Sequence, residues 1–450
     1  LSKEIDKNTT MQDNYLVVLG SGESGTGAAL LAKAKGYRVF VSDQGPIADR
    51  YQAALQQAGI EFESGQHTPA KVLAAQEVVK SPGIPDKAEI VRQVRAKGIP
   101  VVSEIEFAAR HTRARLVAIT GTNGKTTTTL LTYFLLREAG FSVGLAGNVG
   151  YSFAQQVIED KYDWYVLEIS SFQLDDAHQF HPQVAVLLNI TPDHLDRYDY
   201  QMANYVAAKF RLVQQATDGD VLIWYAHDPV LRQEMARRQV RGTLLPIEGL
   251  AVVGGELVVA WRDQYLTFGQ LPLRGEHNLV NMSAAILAAL SAGATPEAIR
   301  HALPKFVNAP HRLQKVRELN GVTFINDSKA TNVDAVYYAL GAFDSPLVWI
   351  AGGTDKGNDY SRLLELVVKN VKALVCLGKD NSKLLHFFRP LMPKLVDTHS
   401  VQEAVQAAYQ LAAPGDVVLL SPACASFDLF KNYEDRGRQF AAECEKLLAN

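Results

Sequence analysis

The chain alternates short apolar runs with glycine-containing turns and helical stretches. YLVVLG (Tyr15 to Gly20) predicts a strand closing on glycine, a helix reaches Ala34, and YRVFVSD (Tyr37 to Asp43) predicts the next strand. Strand–turn–helix alternation of this kind marks parallel βαβ units. EVVKSPGIP adds a strand broken at Ser81-Pro82-Gly83, and this first unit is expected to end at Glu104. RLVAITGTNGKTTTT opens a second unit with a strand, a glycine-rich turn and a helix to about Glu138. DWYVLEIS (Asp163 to Ser170) and VAVLLNI (Val184 to Ile190) read as buried strands, each ending in polar residues. Past Asp220 the texture changes: VLIWYA, ELVVAW and YLTFG predict shorter strands with hairpin turns, one at Gly254-Gly255. An alanine-rich helix is expected from Asn278 to about Ala292. A third unit is expected from Pro310, with strands HRLQKVREL and VTFIND, a helix from Asn332 to Leu340, and strands in PLVWIAGG, ALVCLG and DVVLLSPA. The expected architecture is α/β in three domains, 1–104, 105–309 and 310–450.

Composition agrees with this reading. At about 150 residues per domain, 450 residues suit three domains. With 47% hydrophobic and 21% charged residues the chain is an ordinary globular one, not a disordered one. The net charge of −3 gives no basic footprint, so no nucleic-acid partner is expected. No apolar run approaches the roughly 18 residues that cross a bilayer, so no membrane insertion is expected. LSKEIDKNTTMQDN has no apolar core, so no secretion signal is expected there, and the few cysteines make a reduced cytoplasmic setting the simplest reading. Met11 is a candidate natural start, with residues 1–10 read as an addition ahead of it. Cys376, Cys424 and Cys444 are odd in number and far apart, so neither a disulfide framework nor a zinc site follows.

The sharpest chemical signal is Gly121-Thr122-Asn123-Gly124-Lys125-Thr126-Thr127, between a strand and a helix. Glycines let backbone N–H groups close around phosphate oxygens, and a helix N-terminus favours negative charge. Lys125 would neutralise the β/γ-phosphates and the Thr126 hydroxyl would ligate Mg²⁺. The loop is shorter than the usual one, because Ile119 stands where its first glycine belongs. Glu168 and His194 follow neighbouring strands, at the carboxyl end of a parallel sheet where ligands bind. A His ligand is unusual for Mg²⁺, and by itself His194 reads more readily as a turn residue than as a ligand. Lys209 lies in the helical stretch ANYVAAKFRLV, and taken alone it belongs on a solvated face.

Gly20-Ser21-Gly22-Glu23-Ser24-Gly25 matches G-x-G-x-x-G, with Asp43 placed for a ribose hydroxyl. That suits nicotinamide dinucleotide or any ribose-linked diphosphate. In the third unit, Asn326 to Asn332, Gly352 to Gly357 and Ser421 to Ser426 are polar loops at three strand ends, expected to converge on one cleft. An oxidoreductase would use the first motif and leave GTNGKTT idle. A regulatory ATPase would leave the three C-terminal loops idle. An ATP-driven transfer reaction uses all of them.

The motifs GTNGKTT, LEISSFQL, NITPDHLDRY, AAKFR, GEHNLVN, HRLQ, NDSKATN, GGTDKG and SPACASFDLFKNYEDRG together resemble the Mur ligases of peptidoglycan synthesis, over nearly all of the chain after residue 14. LEISSFQL and the last motif resemble the D-glutamate-adding branch; sister branches adding L-alanine or a diamino acid are the nearest rivals. The resemblance implies an N-terminal Rossmann-like domain, a central P-loop ATPase-type domain and a C-terminal Rossmann-like domain. It implies a monomeric ligase using ATP, two Mg²⁺, D-glutamate and UDP-N-acetylmuramoyl-L-alanine. ATP phosphates are assigned to Gly121 through Thr127, with Asn278, Arg312 and Asp327 around the nucleotide. Metal ligation falls to Thr126, Glu168, His194 and Lys209, the last as a carbamate. Lys125, His194 and Lys209 are thereby the catalytic set. Ser24, Asp43, Ser81, Gly83 and Asn148 match contacts to the UDP-substrate. Ser170, Thr331, Lys356, Ser426 and Tyr433 match those to D-glutamate. Two departures stand out: Tyr433 replaces a frequent Phe, and Glu23 puts a carboxylate in the diphosphate turn, where it is expected to point away.

Overall fold

The computed structural model describes residues 14–355 and 357–448, so residues 1–10, Met11 and Lys356 lie outside the described residues. The chain forms two compact units. One runs to Gln270 and includes Asn281–Pro304; the other comprises Leu271–Val280 and the chain from Lys305 onward.

The first unit contains two parallel sheets. Strands β1 (Tyr15–Leu19), β2 (Arg38–Asp43), β3 (Glu61–Ser64), β4 (Glu77–Lys80) and β5 (Val101–Ser103) take the order β3-β2-β1-β4-β5. The order reverses between β1 and β4, which opens a crevice at their carboxyl ends. Gly20 follows β1 at φ +88, and a Cβ there would stand 2.7 Å from Ser81 Oγ after β4. Only glycine allows that approach.

The second sheet has β6 (Arg115–Thr120), β7 (Val143–Gly147), β8 (Trp164–Glu168), β9 (Val184–Leu187), β10 (Val221–Tyr225) and β11 (Thr243–Ile247), in the order β11-β10-β9-β6-β8-β7. Strand β6 lies between β8 and β9, so the loop after it emerges between the ends that bear Glu168 and His194. The expectation that VLIWYA belongs to a hairpin is corrected here. β10 pairs in parallel with β9 and β11, because a helix at Pro229–Arg237 makes one more βαβ crossover. The hairpins begin later, in β12 (Val252–Val253), β13 (Glu256–Trp261) and β14 (Gln264–Phe268). Gly254 and Gly255, both at positive φ, make the expected two-residue turn.

In the second unit the order is β15-β16-β20-β17-β18-β19, from β15 (Gln314–Leu319), β16 (Val322–Asn326), β17 (Leu347–Gly352), β18 (Val371–Leu377), β19 (Leu395–Thr398) and β20 (Val417–Ala423). Only β15 runs antiparallel to its neighbour. The strand expected from His311 thus starts at Gln314. Adjacent β16, β20 and β17 release the three polar loops side by side. Two helices begin close to expectation, at Glu276 and Val333, the latter capped by Asn332. Among the described residues, no helix is long and apolar enough to cross a membrane.

Candidate active site

Helix Lys125–Glu138 starts from Gly124 in the left-handed conformation, φ +86. A Cβ there would meet Asn281 Oδ1 at 2.3 Å, so both backbone and space require glycine. Asn189, just past β9, braces the loop from the side. Its Oδ1 accepts the Asn123 N–H at 2.8 Å, its Nδ2 donates to Asn123 O at 3.0 Å, and its carbonyl accepts the Thr122 N–H at 2.9 Å. Thr122 Oγ1 lies 3.0 Å from Tyr205 Oη and accepts the Thr191 N–H at 3.0 Å. Thr126 and Thr127 are buried in the first helical turn.

The two lysines meet at this loop. Lys125 Nζ donates to Gly121 O at 2.9 Å and Thr122 O at 2.8 Å, and Lys209 Nζ donates to the same Gly121 O at 2.8 Å. Lys209 is only 1% exposed, which corrects the solvated-face expectation. Its ammonium lies 4.7 Å from the Tyr205 ring centroid, one helical turn earlier. Burial, and then the charge of Lys125, hold this amine well below an ordinary lysine; Asp193 and Asp175 oppose that only in part. Burial likewise pushes Asp175 up to about 6.

Glu168 is buried at the end of β8. Its Oε1 accepts from Asn148 Nδ2 at 2.7 Å, whereas Oε2 has no hydrogen-bond partner among the described residues. An orphaned buried carboxylate oxygen is costly unless a cation or ligand uses it. His194 heads a short 3-10 turn at φ +52, half-exposed, with its ring 5.1 Å from Phe172. No cluster of three or more His, Cys, Asp or Glu gathers among the described residues. Glu168 Oε2 and the Thr126 hydroxyl are oxygen donors of the kind Mg²⁺ takes alongside waters and phosphate oxygens.

A cavity of about 250 Å³ brings six of the residues singled out from sequence together: Gly83, Lys125, Asn148, Ser170, His194 and Lys209. Ser170 also caps its helix reciprocally with Gln173. Around the first glycine turn, Ser21 N–H and Oγ donate to one Asp43 oxygen at 2.7 and 2.6 Å, and Gly45 N–H to the other at 2.8 Å. Ser24 is half-buried in the first turn of the following helix. Glu23 accepts from Tyr51 Oη at 2.9 Å, which gives its carboxylate a side-chain partner beyond the turn.

In the second unit, one side chain absent from the sequence-based set joins the three loops. Arg436 is 1% exposed and donates to Ser328 Oγ and O, both at 2.9 Å, to Cys424 O at 3.2 Å and to Gly352 O at 3.4 Å. Burial lowers its guanidinium to about 10. Thr354 and Ala425 exchange backbone hydrogen bonds across two of these loops. Ser426 is buried, Thr331 half-buried, and the Tyr433 ring centroid lies 3.7 Å from Lys329 Nζ. Asp327 accepts from Ser421 Oγ at 2.9 Å and Leu313 N–H at 3.2 Å, and burial pushes it up to about 7. Arg312 acts electrostatically on both Asp327 and His277, and Asn278 Nδ2 donates to Arg274 O at 2.7 Å.

Comparison with known proteins places this arrangement. Residues 14–103 match the Mur ligase MurD-like N-terminal domain, 119–289 the Mur ligase middle domain, and 311–424 the Mur ligase glutamate ligase domain. The chain belongs to the Mur ligase family, a class of ATP-dependent, amide-bond-forming enzymes with three α/β domains. It is 52% identical over 437 residues to the UDP-N-acetylmuramoylalanine--D-glutamate ligase of Cytophaga hutchinsonii, covering 94% of this chain and 97% of the relative. The enzyme of that name from Bacteroides fragilis is 50% identical over 441 residues, covering 96% and 99%. Among solved structures, MurF ligase from Thermotoga maritima in complex with ADP aligns at TM-score 0.61 and 17% identity, covering 93% of this chain and 99% of that one. UDP-N-acetylmuramate-alanine ligase MurC from the same organism aligns at 0.59 and 18%, covering 96% and 99%. These last two likenesses concern the fold.

Proposed function

We propose that the chain joins D-glutamate to UDP-N-acetylmuramoyl-L-alanine, converting ATP to ADP and phosphate, as a cytoplasmic monomer. Its domains in this reading are 1–104 for the UDP-substrate, 105–309 for ATP and 310–450 for the amino acid. The observation that carries the reading is the pair of lysines on Gly121 O, after a strand that pairs with the one ending in Glu168, whose Oε2 has no partner among the described residues. Near-complete coverage by D-glutamate ligases supports the choice of amino acid.

The chemistry proceeds in two displacements. A carboxylate oxygen of the UDP-substrate attacks the γ-phosphorus of ATP, and the bond to the β-bridging oxygen breaks. ADP leaves, and the carboxylate has become an acyl phosphate. The D-glutamate amine then attacks the acyl carbon. The carbon–oxygen bond to phosphate breaks, the amide forms, and the amine's proton passes to solvent. Mg²⁺ at two positions would screen the repulsion between the two anions of the first displacement. Thr126, Glu168, His194 and a carbamate on Lys209 would hold it.

The protein's own groups do the rest. Lys125 lies at the phosphate-loop end of the cavity, where its charge counters the transferring phosphoryl group. The Asn189 brace takes up the Thr122 and Asn123 N–H groups and so fixes the loop backbone ahead of the helix without reorganisation. Lys209 must be neutral to take up carbon dioxide, and its burial beside Lys125 favours that form. In the second unit, the Arg436-tied loops and Ser426, Thr331, Tyr433 and Lys356 would receive D-glutamate.

ATP-dependent phosphate release tests the reading, with UDP-N-acetylmuramoyl-L-alanine and a panel of D-glutamate, L-glutamate, L-alanine and a diamino acid. D-glutamate alone should support turnover. Equal release with L-alanine or L-glutamate would sink the assignment.

A further inference from the structure

Arg197 stands three residues past His194, in the short 3-10 turn Leu195–Arg197. Its guanidinium has no carboxylate partner among the described residues. Nη2 donates to Pro82 O at 3.1 Å and to Ile84 O at 3.5 Å, and Nη1 to Gly83 O at 3.3 Å. The guanidinium also lies 4.4 Å from the centroid of the Phe172 ring, which meets the His194 ring at its edge. From the other side, buried Lys80 donates to Ile84 O at 3.0 Å and pairs with Asp176 at 3.0 Å. Every carbonyl from Pro82 to Ile84 is thus turned toward a cation.

This has a consequence for the opposite edge of the loop. The described chain contains no cis peptide, and in a trans peptide the N–H points away from the C=O. Fixing the Pro82 carbonyl on Arg197 therefore turns the Gly83 N–H away from Arg197. Gly83 is exposed, lines the cavity with His194 and Lys209, and its N–H makes no hydrogen bond among the described residues. It is a donor left to solvent or to a ligand.

We infer that Arg197 is a positioning residue. It locks loop 82–84 to the loop bearing Asp193 and His194, and it aims the Gly83 N–H at an anionic oxygen of the UDP-substrate. The inference rests on the proposed ligase reading for the identity of that substrate. A planar fork spans carbonyls spread along the loop in one fixed geometry, which the compact ammonium of a lysine does not reproduce.

The test is steady-state kinetics of the full chain with each of the three substrates varied in turn, for wild type, Arg197→Lys and Arg197→Ala. Both variants should raise KM for the UDP-substrate by roughly 10- to 100-fold, the scale of a displaced binding group. KM for ATP and D-glutamate should stay at the wild-type value. Guanidinium chloride should restore part of the Arg197→Ala loss, and sodium chloride at equal ionic strength should not. Unchanged kinetics in both variants would overturn the inference. So would a fall in kcat with all three KM values unchanged, a lowered melting temperature and no guanidinium rescue, because that is a plain structural role. Wild type controls for the underlying reading: if it fails to turn over the UDP-substrate, the ligase assignment fails with it, whereas wild-type turnover with unaltered variants removes only Arg197.

Discussion

Replacing Asp327 with Asn isolates one buried ionisation. Burial raises this carboxyl from an ordinary 3.8 to about 7, and Ser421, the Leu313 N–H and Arg312 reverse only part of that. The folded chain therefore holds the proton more tightly than the unfolded chain. The associated stability is fully present below pH 3.8, declines as pH rises, and is gone above about pH 7. At 1.36 kcal/mol per pH unit the whole span is about 4 kcal/mol at most. His277 has the opposite slope. Burial, then Arg312, lower its imidazole from 6.5 to about 4, so stability falls as pH drops through that window. The two slopes oppose each other between about pH 4 and 6.5 and mask one another in wild type. Asn keeps the size of the side chain and removes one titration. Hydrogen exchange of peptides covering β16 and β20 reads the opening free energy of this unit directly. From about pH 5 to 7, Asp327→Asn should gain about 2 to 3 kcal/mol on wild type, and then level off. A difference that does not vary with pH would refute the reasoning.

Three further outcomes are expected. Lys125→Ala should lower ATP-dependent phosphate release by about 10²- to 10³-fold or more, and retention of over a tenth of the rate would remove this lysine from the phosphate site. Lys209→Ala should lose most activity and regain part of it with acetate, which can occupy the space of a carbamate; Lys209→Arg should not respond, and full activity in Lys209→Ala without acid would refute the carbamate. Arg436→Met should remove the Arg436 donor from the Ser328, Gly352 and Cys424 carbonyls, lowering stability by about 2 to 4 kcal/mol and raising KM for D-glutamate; an unchanged KM would show that the three loops keep their positions without it.

What the sequence revealed, and what it hid, follows from how far each residue reaches. The phosphate loop, the glycine turn and the three polar loops are local patterns at strand ends, so strand–turn–helix reading finds them, and within each sheet the strand order sets them at the carboxyl ends. The misread stretch was local too. VLIWY is a continuous apolar run, the mark of a strand buried on both faces, yet the change of texture after Asp220 suggested hairpins. TLLPI was missed because it is an edge strand: Leu244 is 42% exposed, and Pro246 is tolerated only where no inner ladder needs its N–H. Lys209 offered a signal that went unused. Buried Tyr205, Val206, Ala208 and Phe210 surround it on one short helix, which leaves little solvated face for a lysine to occupy.

Asn189, Arg197 and Arg436 are different in kind. Partners of their side chains lie as far as 66, 115 and 108 residues away in the chain, and most of those contacts are to backbone atoms, whose positions no side-chain pattern encodes. Arg436 follows Glu434 and Asp435 in the first turn of a helix, a setting that reads as a solvated N-terminus. It is buried instead because the loops above it present carbonyls and a hydroxyl, and a guanidinium can serve four of these at once without a carboxylate. The same physics operates at Arg197. A guanidinium that takes only backbone carbonyls fixes peptide planes, and in fixing a carbonyl it sets the direction of the N–H on the other side. Two arginines in two units thus do the same work: each fixes peptide planes in loops whose own small side chains pack too little to hold them.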